Sequence, residues 1–177
     1  MAAKAVLHAI IFAAGLSSAA VCLAEAGFDI DRVAGRYSHR FTEHMMDGET
    51  YAAADSLRIV RHGRSSAYFE TFLSFANGHS CSLSGIANVE AGALVYRQAN
   101  TGSGACEFTM RVVGGKVVFA DKGFGCSTQY CGMRGSLDGA SFDLAWRRAD
   151  RGLRNLYRSQ SYRDAVGAHG RRRKPTR

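Results

Sequence analysis

The chain has 177 residues, 46% hydrophobic and 21% charged, with a formal net charge of +8. That length suits one domain of roughly 100 to 200 residues. Twenty Gly against one Pro, with ten Phe and seven Tyr, disfavours disorder, a collagen-like chain and a helical bundle, and favours an all-β domain. No P-loop, dinucleotide fingerprint, HExxH or GxSxG motif occurs, so the common signatures of catalysis are missing.

Residues 1 to 24 read as a cleaved signal peptide. Lys4 precedes the apolar run Ala5 to Phe12, small residues follow from Ala13 to Ala20, and Cys22-Leu23-Ala24 supplies the small residues that place cleavage after Ala24. Ser17 and Ser18 weaken the alternative of an uncleaved membrane anchor. Val21 and Ala19 fit poorly with lipid attachment at Cys22. Cys22 leaves with the leader, so Cys81, Cys106, Cys126 and Cys131 remain, an even number that predicts two disulfides in an oxidising compartment.

From Gly35 to Trp146 the pattern alternates with period two. Tyr37, His39 and Phe41 share one face of a first strand, and Leu57 and Ile59 mark a second. Ala67, Phe69, Thr71, Leu73 and Phe75 line a third, which ends at the Asn77-Gly78 hairpin signal. His79, Cys81, Leu83, Gly85 and Ala87 alternate next, then Leu94 and Tyr96, then Cys106, Phe108, Met110 and Val112. Gly114-Gly115 turns the chain into Val117 and Phe119. A short strand from Met133 to Leu137, the Asp138-Gly139 turn, and Phe142, Leu144 and Trp146 complete the series. Eight or nine strands joined by tight turns predict an antiparallel meander, and closure into a small barrel of about eight strands removes its exposed edges. A sandwich or curved half-barrel would show the same alternation.

A meander puts all four cysteines at one rim. One pairing joins Cys126 to Cys131 and Cys81 to Cys106, although next-but-one strands lie about 9.6 Å apart and a disulfide needs Cα atoms within about 7 Å. The other joins Cys106 to Cys126 and Cys81 to Cys131, and spacing alone leaves both open.

Charge is segregated. Residues 146 to 177 hold eleven basic and two acidic side chains, whereas 25 to 145 are close to neutral. The predicted organisation is therefore a disulfide-tied barrel over 25–148, an amphipathic helix over 149–167 carried by Leu153, Leu156 and Tyr157, and a disordered basic tail over 168–177. In that tail Arg171, Arg172, Arg173 and Lys174 are the candidates for contact with an anionic surface.

Gly35-Arg36-Tyr37 at the start of the first strand, with Arg147 after the last, resembles the closing device of the calycins, in which an Arg from the final strand lies over an aromatic residue that is usually Trp. Ser65-Ser66-Ala67-Tyr68 and Lys122-Gly123 are similar to the inhibitory loops of periplasmic lysozyme inhibitors, also small exported barrels. The resemblance implies a non-enzymatic protein of the cell envelope that binds a protein partner through Ser65, Ser66, Tyr68 and Lys122, without a cofactor. The alternative function is a carrier of a small apolar ligand among inward Phe69, Leu73, Phe108, Phe119 and Phe142, and a secreted hydrolase ranks third. His39, Glu43 and His44 are the best candidate metal ligands, but His39 and His44 point to opposite faces of a strand. His62 with His79 is the acid and base pair that a hydrolase would use.

Overall fold

The computed structural model describes residues 28–98 and 104–173; the predicted signal peptide lies outside them. Eight strands run in chain order around one sheet, each antiparallel to the next. They are β1 (Gly35–His44), β2 (Thr50–Arg61), β3 (Ser66–Ser74), β4 (Ser80–Glu90), β5 (Ala93–Gln98), β6 (Cys106–Val113), β7 (Lys116–Asp121) and β8 (Ser141–Asp143). Helix α1 (Ile30–Val33) precedes β1, α2 (Gly125–Tyr130) lies between β7 and β8, and α3 (Leu153–Arg158) and α4 (Gln160–Arg173) follow β8. The sheet forms a nearly closed barrel with C-terminal helices, the predicted fold class.

The two glycine turns act as read. Ala76 to Gly78 joins β3 to β4 with Asn77 at φ 59° and Gly78 at 69°, and Gly114-Gly115, at 55° and 79°, joins Val113 to Lys116 in a two-residue hairpin.

The interior is filled by a continuous run of rings. Tyr37 meets Phe142 at 6.1 Å, Phe142 meets Phe119 at 5.6 Å, Phe119 meets Phe108 at 4.9 Å, Phe108 meets Phe69 at 5.5 Å, and Phe69 meets Tyr96 at 5.4 Å. Edge-on and tilted pairs at these spacings are favourable beyond simple burial. Phe69, Leu73, Phe108, Phe119 and Phe142, the inward set from which a ligand cavity was considered, are all buried in this one cluster.

The wall has two weak joints. β8 is only three residues long, and β1 reaches the closing segment through a single bridge, with Arg36 N–H donating to Arg148 O at 2.9 Å and Arg148 N–H to Arg36 O at 2.8 Å. Gly35 permits that approach, because a Cβ there would stand 2.7 Å from Arg148 O and 2.9 Å from Arg147 Cγ. Arg147 crosses this glycine and donates to the carbonyls of Asp31 and Ala34 at 3.1 and 3.3 Å, while the Tyr37 hydroxyl donates to Val33 O at 2.7 Å. The second joint lies between β4 and β5, which pair only from Asn88 to Glu90 against Ala93 to Val95. Beyond that ladder Tyr96 lies over Gly85, where a Cβ would come within 2.3 Å of the ring.

Three sequence expectations are corrected. Met133 to Leu137 is not a strand: Gly135 packs against the Cys81–Cys131 bridge, where a Cβ would stand 2.8 Å from Cys81 Sγ. Leu144 to Trp146 turns into a single 3-10 turn capped by the Asp143 carboxylate, which accepts from Ala145 N–H at 2.8 Å. The single helix predicted over 149–167 is two, broken at Ser159, and the second runs on to Arg173 where a disordered tail was expected. That last stretch is docked, because His169 is buried and the Arg172 guanidinium lies 5.3 Å from the centre of the Tyr96 ring.

Helices α3 and α4 also change the sheet they cover. Val60, Tyr68 and Ile86 face outward yet are buried with Leu156 and Ala165 in a second apolar cluster. Ser66 to Phe69 are therefore buried on both faces of β3.

Burial holds three phenols far from their ordinary range. Desolvation pushes Tyr37, Tyr68 and Tyr96 each up to about 12, with the Arg147 charge opposing the shift at Tyr37. Because the folded values lie above the unfolded value of about 10, the stabilisation is complete below pH 10 and is lost as pH rises through 12. Absorbance titration at 295 nm should show three phenols ionising late and together with alkaline unfolding; three additional phenols titrating near pH 10 in protein that is still folded would contradict this.

Candidate functional site

Both disulfides meet at one rim. Cys81 at the start of β4 is bonded to Cys131, and Cys106 at the start of β6 to Cys126. Helix α2 decides the pairing: Cys126 lies in its first turn and Cys131 just beyond its end, and five residues at about 100° each turn the two side chains roughly 140° apart. Each therefore finds a different strand. The two bonds are compatible with an oxidising compartment, and among the described residues no helix is long and apolar enough to cross a membrane.

The chain enters this rim under constraint. Asp121, buried at the end of β7, accepts from Cys126 N–H at 2.9 Å and Ser127 N–H at 2.6 Å, and its own N–H donates to Asp138 Oδ1 at 2.9 Å. Its carboxylate so occupies the donors at the start of α2, where negative charge is favoured. Between Asp121 and α2 the chain makes the tight turn Lys122–Phe124, with Gly123 at φ 65° and Phe124 at φ 57°. A non-glycine residue in the left-handed region is uncommon, and for a bulky side chain it costs on the order of 1 kcal/mol or more. The turn nonetheless leaves Phe124 56% exposed. Across a groove floored by Ser127, Thr128 and Cys131 stands Met133, 98% exposed.

Lys122 projects beside them, its Nζ 3.6 Å from Glu107 Oε1, while Arg97 Nε holds Glu107 Oε2 at 2.8 Å. Arg97, with Lys122 adding, keeps the Glu107 carboxyl below its usual range. Lys122, from the Lys122-Gly123 half of the expected partner-binding set, is exposed at the rim.

The other half of that set is corrected. Ser65 is exposed, but Ser66 is buried, and Tyr68 is a β3 residue at 0% exposure beneath α3 and α4. Its hydroxyl donates to Glu70 Oε2 at 2.9 Å and lies 3.4 Å from Ser161 Oγ. The sequence around Tyr68 does not reveal this, since the covering residues arrive almost ninety positions later. Sequence reasoning did not single out Phe124, and it placed Met133 in a strand, because nothing local shows that the chain after Asp121 coils into α2 and leaves both side chains exposed.

Of the basic run, Arg171 and Arg172 line a cleft of about 650 Å³ between α4 and the parting of β4 and β5, beside Tyr96, Gln98 and Tyr130. Both phenols donate to Gln98 Oε1. Arg173 ends α4, and Lys174 lies outside the described residues.

The residues considered for catalysis do not converge. His62 lies at the β2–β3 turn and His79 at the β3–β4 turn, so nine strand residues, about 30 Å, separate them. His62 Nδ1 is 3.2 Å from the Tyr162 hydroxyl. The His39 ring stacks on Trp146 at 4.7 Å and on Phe41 at 5.3 Å. Among the described residues no three His, Cys, Asp or Glu side chains are grouped to hold a metal ion.

No protein-family model, curated protein or solved structure matches this chain.

Proposed function

We propose that this is an exported, non-enzymatic binding protein of the cell envelope that recognises a protein partner through the α2 rim, with lysozyme-like hydrolases as the first candidates. The observation that carries the reading is Phe124, held in a left-handed conformation and exposed at the tip of a turn anchored by the Cys106–Cys126 bond and the Asp121 cap. Strain of this kind persists where surrounding structure enforces it and is concentrated at ligand clamps and binding loops. A rigid aromatic anchor with a flexible Met and a Lys beside it is the composition of a binding hot spot with a charged margin. The packed interior removes the support that an empty barrel would lend to the carrier alternative. The export step rests on the leader at residues 1 to 24 together with the two disulfides.

The test is inhibition and direct binding with several lysozyme types. Phe124→Ala should weaken binding by about 2 kcal/mol and Lys122→Ala by about 1 kcal/mol. Val113→Ser, at the opposite end of β6, should leave it unchanged. Absence of any complex at micromolar concentration would overturn the lysozyme assignment, and equal affinity of Phe124→Ala and the parent protein would overturn the rim.

A further inference from the structure

The seam that closes the barrel carries a second feature, one that shares no residue with the α2 rim. In strand register Arg36 lies directly opposite Arg58 on β2, and the single closing bridge sets Arg148 directly opposite Arg36 on its other side. Three arginines thus form a row across three neighbouring segments at about 4.8 Å spacing. Like charges placed so are destabilising. The protein compensates one of them: Arg58 reaches Glu70 at 2.5 Å, and its Nε lies 2.9 Å from Asp150. Arg61 and Arg97 likewise have carboxylate partners. Among the described residues neither Arg36 nor Arg148 has one, and neither does Arg151, which enters the same hollow.

That hollow measures about 490 Å³. Besides Arg36, Arg148 and Arg151 it is lined by the hydroxyl residues Ser38 and Ser56, opposite each other one row along, and by Trp146; the Arg148 guanidinium also donates to the carbonyls of Ala145 and Arg147, each at 3.0 Å. Trp146 is 37% exposed, with its ring plane set by the near-parallel stack on His39. Planar guanidinium forks match carboxylate and sulfate oxygens. The neighbouring hydroxyls suit sugar hydroxyls, and an apolar ring face beside them suits the C–H face of a pyranose. A nucleic-acid strand would call for successive stacking platforms along a groove, whereas one indole stands here in one hollow. We propose that the seam between β1 and the segment after β8 binds an acidic saccharide, with its carboxylate or sulfate on Arg36, Arg148 and Arg151 and a sugar ring against Trp146.

Trp146 is the only tryptophan of the chain, so indole emission, excited selectively over the tyrosines, reports on this hollow alone. Titration of the full chain with tetragalacturonate should give a saturable change in indole emission whose midpoint rises with salt, and neutral cellotetraose should give none. Arg36→Ala and Arg151→Ala should each weaken the interaction about tenfold or more, the loss expected for one charge-assisted contact, while Arg163→Ala on α4 leaves it unchanged. Should Arg36→Ala fail to fold, Arg151→Ala decides, since its backbone takes no part in the closing bridge. A flat titration, unchanged affinity in the folded arginine variants, inorganic sulfate competing as well as the tetrasaccharide, or tighter binding of an eight-residue oligothymidylate would each overturn the proposal. None of those outcomes bears on the α2 rim.

Discussion

Tyr68→Ala is expected to destabilise the protein by about 3–5 kcal/mol, the usual cost of truncating a large buried ring. The ring is fully enclosed between the sheet and the C-terminal helices, packed with Val60, Ile86, Leu156 and Ala165 and meeting Tyr162 edge-on at 5.1 Å. Its hydroxyl shares Glu70 with Arg58, so truncation also takes a donor from a partly buried carboxylate. Tyr68→Phe keeps the ring and should cost only about 1 kcal/mol. Urea unfolding followed by near-ultraviolet circular dichroism separates the two variants. If Tyr68→Ala unfolded at the parent midpoint and lost only affinity for a partner, Tyr68 would be a surface residue and the docking of α3 and α4 on β3 would be wrong.

Removing the disulfides ranks second. Cys106–Cys126 spans 20 residues and Cys81–Cys131 spans 50, and loop-closure entropy assigns them about 3 and about 4 kcal/mol respectively. Paired serine substitutions should reproduce that order in equilibrium unfolding. Opening the Cys106–Cys126 bond should also reduce binding at the rim, because the turn carrying Phe124 would lose one of its two anchors. Peptide mapping without reductant provides the direct check: the native protein should yield cross-linked fragments joining 81 to 131 and 106 to 126, and a fragment joining 126 to 131 would refute the fold of α2.

Both predictions turn on contacts between residues distant in the chain, and this marks where sequence reasoning stopped. The spacing of the four cysteines left two pairings, since it could not show that the polar stretch after β7 coils into α2 and turns Cys126 and Cys131 apart. Ser65 to Tyr68 has the composition of an exposed loop, and only the docking of Leu156 and Ala165 makes Tyr68 a core residue. Arg171 and Arg172 look like a solvated run, yet helix propagation from Gln160 carries them to the Tyr96 ring and its cleft.

What the sequence determined by itself is what local chemistry dictates: inward alternation on each strand, glycine turns at Asn77-Gly78 and Gly114-Gly115, an antiparallel meander, and cysteines gathered at one rim. These follow from the two-residue side-chain period and from the few residues that tolerate positive φ, both properties of neighbours in the chain. The tertiary structure alone decided which outward faces are covered, which cysteines pair, and how three arginines come to stand side by side at the seam. Those outcomes depend on strand register and on the place where the last helices dock, and both are set by the sum of many weak contacts over the whole fold.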